Sequence, residues 1–379
     1  MSTALSQRDA RRTEALDSFR VRGMPHRRFE HWRYSDLRAV LDAGQVAQAG
    51  TAKWHIENLP DGVEMVDLAG PVLPDWVLKT LGAIGNRPTM EEASLAFADG
   101  GVGLRIAAGK TIAAPIRLEL AGQGNLRWLI VLEAGASATV FEPHSGDAGF
   151  LRNAGVDIDL ADGAELRHVR CSPFMPKSFT VEHIAVTVAK NAKYHAHFAN
   201  FGARLSRTEL HIVLNGEGAE AHLSGVAVLG HEAHSDVTSH IEHAAGHTLS
   251  TQLFKHVAGG KSRAVYQGKI TVREGAIGSD SRQTARALLM SQRAEADLKP
   301  ELIIFADDVK CAHGATVGDL DAESMFYLRS RGIPEKEARQ MLVHAFLQEA
   351  IDAIGQDDLI ETIWRDVEHA LPRAMEAAK

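Results

Sequence analysis

A weak self-similarity with a period near 28 residues constrains this chain more than any other feature. Small turn elements recur through the middle of the sequence and are anchored at Gly135, Gly163, Asn191, Gly218, Gly246 and Gly275, which lie 28, 28, 27, 28 and 29 residues apart. Half-period turns fall near Gly202, Gly230 and Gly260. Between anchors the residues alternate as strands do, as in Val156–Leu160, Thr180–Val188 and Glu209–Leu214. A period of this size belongs to a stacked array, because one coil cannot bury its own apolar face and gains stability from its neighbours. Each coil is expected to hold two main strands and two corners. Each strand then pairs in parallel with its equivalent one period later, so the expected fold is mainly β, a parallel β-helix. The competing arrangement is an antiparallel sandwich with evenly spaced hairpins.

The two ends read differently. Arg8 to Leu41 is rich in Arg, Glu, Ala and Leu and reads as helical, interrupted at Gly23 and Pro25. Between residues 50 and 100 the pattern is mixed, and Pro60, Pro71, Pro74 and Pro88 indicate turns. Near the C-terminus, Asp321 can cap a helix reaching Arg329, Gly332 can end it, and Pro334 suits the first turn of another. Ala338, Met341, Leu342, Ala345, Phe346 and Glu349 follow helical spacing and predict an apolar face. A third helix is expected over Asp358–Ala370, stopping before Pro372. The chain is thus expected to divide into a helical and mixed region (1–95), a β-helix core (96–318) and a helical C-terminal region (319–379).

Charge and composition exclude several function classes. A formal net charge of −8 argues against a nucleic-acid partner. The basic and aromatic run Arg27–Leu37 carries its own acidic residues and reads as a packed edge rather than a base-stacking platform. No apolar run approaches a membrane span, and Met1–Arg12 has no apolar signal core, so a cytoplasmic protein is expected. Cys171 and Cys311 are then expected as reduced thiols.

The candidate chemistry concentrates near residue 310. Cys311 and His313 stand two apart, with Asp307, Asp308 and Lys310 just before them. On a strand, such spacing puts thiol and imidazole on one face, and the pair suits iron, zinc or a sulfide-linked metal. Two ligands alone fall short of the three or four that a complete site needs. Other features read as structural. His195 and His197 share a strand face, and His231, His234, His240, His243, His247 and His256 crowd the later coils without a standard ligand motif. Gly259-Gly-Lys-Ser262 resembles the end of a phosphate-binding loop, but Lys255 stands where that loop requires glycine, so any ATP chemistry is expected in another subunit. Asp157, Asp159, Glu142 and Asp147 would be the acids of a β-helix carbohydrate-active enzyme, an alternative that the region around residue 310 does not favour. Cys171, beside Arg167, His168 and Arg170, reads as a small core hydrophobe.

The run Lys310-Cys-Ala-His-Gly-Ala-Thr-Val-Gly318, followed by Phe326-Tyr-Leu328 and Ser330-Arg-Gly-Ile333, resembles the C-terminal signature of the SufB/SufD family, the scaffold subunits of the Suf iron–sulfur cluster assembly system. Within that family it is similar to the SufD side. Gly314 stands where SufB-like chains carry a glutamate, and Ser291–Ile304 lacks the cysteine that they hold there. The resemblance implies a right-handed parallel β-helix and a non-catalytic scaffold. It implies two partners: SufB, met through the β-helix ends, and the ATPase SufC, docked by the C-terminal helices through Tyr327, Arg329, Arg331, Met341 and Phe346. His313, with Cys311, is implied as a transient ligand of iron or of a nascent iron–sulfur cluster shared with SufB, with no cofactor intrinsic to the chain. Ile303 and Ile277 depart from the polar residues common in SufD-like sequences. A purely architectural subunit without metal ligation, and a homodimer of the isolated chain, are left open.

Overall fold

The structure, a computed structural model, describes residues 2–48, 50, 53–57, 59–83, 88–98, 100–145 and 151–376. Helix α1 (Ser2–Arg22) ends at Gly23, whose φ of 68° is left-handed, and only a 3-10 turn (Glu30–Trp32) lies between it and α2 (Ala43–Ala47). The helical expectation therefore stops at Gly23. Strands β1 (Lys53–Ile56) and β2 (Val63–Asp67) and helices α3 (Asp75–Thr80) and α4 (Thr89–Phe97) follow. Pro74 and Pro88 occupy the N-cap positions of α3 and α4, so these prolines start helices as well as mark turns.

Eight coils come next, each with two strands. They are β3 (Gly100–Ile106) and β4 (Ile116–Ala121), β5 (Gly124–Leu132) and β6 (Ser137–Ser145), β7 (Leu151–Leu160) and β8 (Glu165–Ser172), and β9 (Met175–Val188) and β10 (Lys193–Asn200). The later coils are β11 (Ala203–Leu214) and β12 (Glu220–Leu229), β13 (His234–His243) and β14 (Leu249–Ala258), β15 (Arg263–Val272) and β16 (Asp280–Leu289), and β17 (Glu295–Ile304) and β18 (Lys310–Gly318). Helices α5 (Ala322–Ser330), α6 (Glu335–Asp352) and α7 (Asp357–Glu376) complete the described chain.

Even-numbered strands β4 to β18 stack in parallel in sheet one, and odd-numbered strands β3 to β17 in sheet two. The period read in the sequence is the register itself: Lys193 pairs with Glu165 on one side and Glu220 on the other. The chain is thus a parallel β-solenoid with helices at both ends, and the parallel register excludes the sandwich. The N-terminal end of the solenoid is closed by β1, antiparallel to β4, and by β2, antiparallel to β3.

At one corner the glycine anchor does a different job from the one its position suggests. The left-handed residue there is His231 (φ 55°), not Gly230. Gly230 is small because a Cβ would lie 2.6 Å from the carbonyl oxygen of Arg373 in α7.

Each outer face is covered by one end of the chain. The N-terminal region docks on sheet two through buried charges. Arg127 binds Asp157 of the neighbouring strand β7 and reaches Glu91 and Ser94 of α4. Arg207 pairs with Asp236 and Glu209, donates to the carbonyl of His31, and stacks 4.1 Å from the Trp32 ring. The C-terminal helices cover sheet one. Val343, Leu347, Ala350 and Ile351 of α6 and Ile363, Val367 and Leu371 of α7 pack on Val169, Ala199, Val226 and Val257.

Two C-terminal expectations are corrected. Helix α7 runs through Pro372 to Glu376, because Leu371 and Ala374 beyond the break point bury against the solenoid, and tertiary packing outweighs the lost hydrogen bond. The buried residues of α6 are Ala338, Val343, Leu347, Ala350 and Ile351, so of the predicted face Ala338 is buried while Met341 and Ala345 stay exposed. This helix carries two apolar stripes, and periodicity alone cannot say which one meets the sheet. Asp321, Gly332 and Pro334 act as read: Asp321 caps α5 with a 2.7 Å bond to the Ser324 amide, Gly332 follows its last turn with φ 84°, and Pro334 is the N-cap of α6.

The interior changes character along its length. The early coils enclose Leu104, Ile106, Ile116, Leu118, Ile130 and Val156. A charged group interrupts them: Arg170 bridges Glu142 (2.8 Å) and Glu182 (3.0 Å), while His168 and the Trp128 indole reach Glu142 at 2.9 Å each. Burial pushes the Glu142 carboxyl up, but Arg170 and His168 outweigh it and hold the group below the usual carboxylate range. Burial prevails at Glu182, which is raised.

Candidate functional site

The solenoid is closed at one end and open at the other. Strand β17 pairs only with β15, and β18 only with β16, so both outer edges lack a described neighbour. Exposed edges and uncapped coils invite a further strand, and repeat folds ordinarily cover them. Apolar groups stand bare here: Phe305 is 66% exposed, and Ile304 and Val317 are also exposed.

Cys311 and His313 sit on this last rung. The register pairs Ser281 with Cys311, Gln283 with His313 and Ala285 with Ala315. Ser281, Gln283 and Ala285 are buried inward members of β16, whereas Arg282 and Arg286 on the opposite face are exposed. Both candidate ligands therefore belong to the inward face. His313 is exposed because no described strand follows β18 in the stack, and its register places it on the inward face. Two residues apart on one strand face, the thiol and imidazole bearers stand about 7 Å apart. Cys311 is half-buried against Ile270, Val272 and Ala276 and their partly buried neighbour Leu302. Burial, then the negative charge of Asp280, pushes its thiol up. A metal or a cation brought by a partner would reverse that balance.

Among the described residues no three His, Cys, Asp or Glu side chains converge as a metal site. This chain thus offers a pair of donors at a seam, and a complete coordination sphere there draws the rest from elsewhere.

The remaining candidates disperse. Tyr327 and Met341 are exposed, with Phe326 beside them at 75%. The Arg331 guanidinium lies over the Tyr327 ring at 5.1 Å, and Arg329 reaches Glu335 at 3.7 Å. Phe346 is half-buried beneath the Lys255 ammonium and packs toward the solenoid, so less of it faces outward. The later histidines occupy separate environments: His231 and His247 at corners, His240 on the outer face of sheet two, and His243 and His256 inside. His195 stacks on His222 at 4.8 Å, while His197, on the same face, is buried. Gly259–Ser262 forms the corner between β14 and β15.

The acids of the enzyme alternative share no groove. Asp157 is buried with Arg127, Glu142 is enclosed, and Asp147 lies outside the described residues. Cys171 faces α7 and donates to Asp366 at 3.1 Å, with its thiol well above the ordinary value through burial. His168 and Arg170 point to the opposite, inner side of that strand.

Sequence reasoning missed the polar lining beneath the last rung. Ser281 and Gln283 continue the columns of Cys311 and His313, and a period of about 30 residues read backwards from them was the signal that could have found both.

The SufBD core domain of the SUF system for FeS cluster assembly matches residues 120–346. The iron–sulfur cluster assembly protein SufD of Escherichia coli is 31% identical over 92% of this chain and 90% of its own length. A SufBD family protein of Synechocystis is 32% identical over 60% of this chain and 52% of its own length, and one from Mycobacterium tuberculosis is 26% identical over 94% and 91%. No described helix is long and apolar enough to cross a membrane. The chain belongs to the SufBD family of iron–sulfur cluster assembly proteins, and its likeness to SufD runs over nearly the whole length of both.

Proposed function

We propose that this chain is a non-catalytic scaffold subunit that works in the cytoplasm with SufB and the ATPase SufC. The open end of the solenoid meets the homologous end of SufB. Cys311 and His313 then face that seam as transient ligands of iron or of a nascent iron–sulfur cluster, which is the cargo of the complex. Residues 1–95 brace the solenoid core (96–318), and the helices of 319–379 dock SufC through the exposed surface around Tyr327, Arg329, Arg331 and Met341, with Phe346 at its inner margin. ATP hydrolysis in SufC would strain the seam and open it to iron and sulfide.

One observation carries the reading: the rung that holds both candidate donors is also the rung left without a neighbour. An architectural role alone accounts for the open edge, but it gives no reason for a thiol and an imidazole on its inward face. The test is anaerobic reconstitution with SufB and SufC, followed by iron–sulfur absorption and circular dichroism. His313→Ala is expected to fold, to enter the complex and to assemble few clusters. Unchanged yield in both His313→Ala and Cys311→Ser would overturn the ligand role in favour of the architectural one.

A further inference from the structure

We propose that Gln283 is a positioning residue for His313: its side-chain oxygen, which has no hydrogen-bond partner in the structure, accepts the imidazole N–H when the His313 ring turns onto it, and so fixes which ring nitrogen keeps its lone pair toward the open seam. The inference deepens the reading of His313 as a ligand and rests on it for its functional consequence, though not for the hydrogen bond itself.

Four observations converge. Gln283 is the register partner of His313 on the adjacent parallel strand, so the two residues share one face with their backbones about 4.8 Å apart. Gln283 is only 1% exposed, and its Oε1 has no hydrogen-bond partner. A buried acceptor in that condition is costly unless something donates to it. The amide is also held in direction. Its Nε2 donates to the Tyr266 hydroxyl at 2.9 Å, Tyr266 donates to Gln252 Oε1 at 2.9 Å, and Ser239 donates to the same oxygen at 2.6 Å. The tyrosine proton is spent on Gln252, so the hydroxyl receives from Gln283 and the Gln283 oxygen is left over. Finally, Gly268 leaves room for this contact, since a Cβ there would lie 1.8 Å from Gln283 Nε2 and 2.5 Å from the Tyr266 hydroxyl. The last rung above is the open side of this arrangement, and its inward group at that register is His313.

The chemistry follows from the two nitrogens of imidazole. A neutral ring binds metal through one nitrogen only when the proton resides on the other, and an acceptor beyond that N–H sets the tautomer and the ring angle. Losing such an acceptor commonly weakens metal handling 10–100-fold.

The experiment uses the full chain labelled with ¹⁵N histidine, with the His313 ring signals assigned by their absence from His313→Ala. Ring-nitrogen shifts are read near pH 7.5 without metal. The wild type is expected to show one dominant tautomer. Gln283→Met, which keeps the volume and removes the acceptor, is expected to give the mixed tautomer signature of a free imidazole. Gln283→Glu, which still accepts, should restore the single form. Tyr266→Phe, which releases the Gln283 amide without replacing it, should loosen the tautomer part of the way and covers the case in which Gln283→Met folds poorly. Identical His313 shifts in wild type, Gln283→Met and Tyr266→Phe would overturn the proposal. Reconstitution with SufB and SufC supplies the second readout, with cluster yield lowered about tenfold in Gln283→Met and retained in Gln283→Glu. The tautomer result stands or falls without metal. The ligand reading is judged separately, by cluster yield in His313→Ala.

Discussion

Replacing His256 by leucine should change how stability responds to acid, and the size of the change follows from the structure. His256 lies inside the solenoid beside a cavity of about 20 Å³ lined by Arg170, Glu182 and Ser235, and neither ring nitrogen has a hydrogen-bond partner. Burial pushes its imidazole down to about 4. In the unfolded chain a histidine titrates near 6.5, so between those values the unfolded state binds a proton that the folded state refuses. The stabilisation from the neutral ring is fully present above pH 6.5 and drains away as pH falls toward 4. At pH 5 the linkage amounts to about 2 kcal/mol for this one residue, from a folded value near 4 and an unfolded value near 6.5. Urea unfolding of wild type and His256→Leu, followed by circular dichroism at pH 7.5 and pH 5, measures it. Other buried histidines, such as His243 and His197, titrate in both proteins and cancel in the comparison. The leucine variant should gain about 2 kcal/mol relative to wild type on going to pH 5. A difference constant to within about 0.5 kcal/mol across that range would refute the assignment of His256 as a buried neutral ring.

Further outcomes test how the parts are held. Arg170→Met leaves Glu142 and Glu182 buried without their shared cation and should cost about 3–5 kcal/mol, read as a lowered unfolding midpoint. Arg207→Met removes the cation that ties Asp236 and Glu209 to the His31 carbonyl and the Trp32 ring, so protease cleavage between Gly23 and Asp42 should rise before the solenoid unfolds. Gly259→Ala places a Cβ 1.8 Å from the Ala374 carbonyl oxygen, so the last turn of α7 should lift off, seen as faster hydrogen exchange over residues 366–376 with β12–β16 unchanged. Met341→Glu should weaken co-purification with SufC while leaving the melting temperature of the isolated chain unchanged, since the side chain is exposed.

What was legible in the sequence follows from how each signal arises. Solenoid register is written as a repeat, so six anchors were enough to give parallel sheets and two strands per coil. Helix boundaries near Asp321, Gly332 and Pro334 were legible because capping is local chemistry. The length of α7 and the packed stripe of α6 were not, because both depend on a sheet face assembled from residues far back in the chain, Val169 to Val257. The segment after Gly23 read as helical from composition. Its conformation is instead set by where Arg207 and Gln267 capture the His31 carbonyl, a long-range event that composition does not encode. At the candidate site the pair Cys311 and His313 was visible as a motif. Their place on the inward face of an unpaired rung needed the register, and the support beneath them needed the interior columns.

Those columns explain why the polar lining begins where it does. In a parallel stack each inward position is inherited by the coil above it, so a polar group at the end rests on whatever its column holds below. The column under Cys311 runs Tyr194, Ala221, Ser250, Ser281, and the one under His313 runs Ala196, Leu223, Gln252, Gln283. Both change from mainly apolar to polar in the last coils, and the polar members bond to one another or across to sheet two: Ser250 to Ser281 at 2.7 Å, His243 of sheet two to Ser250 at 2.9 Å, and Tyr266 of sheet two to Gln252 at 2.9 Å. The neighbouring column Phe198, Gly225, Phe254, Ala285, Ala315 never makes that change. A structural end cap would favour apolar residues in all three columns, since each buried polar group needs a partner to be tolerated. A polar run in the two columns that end in a thiol and an imidazole, with the Phe198–Ala315 column kept apolar between that pair and the next column, is the pattern expected when the last rung must present those groups in fixed orientations.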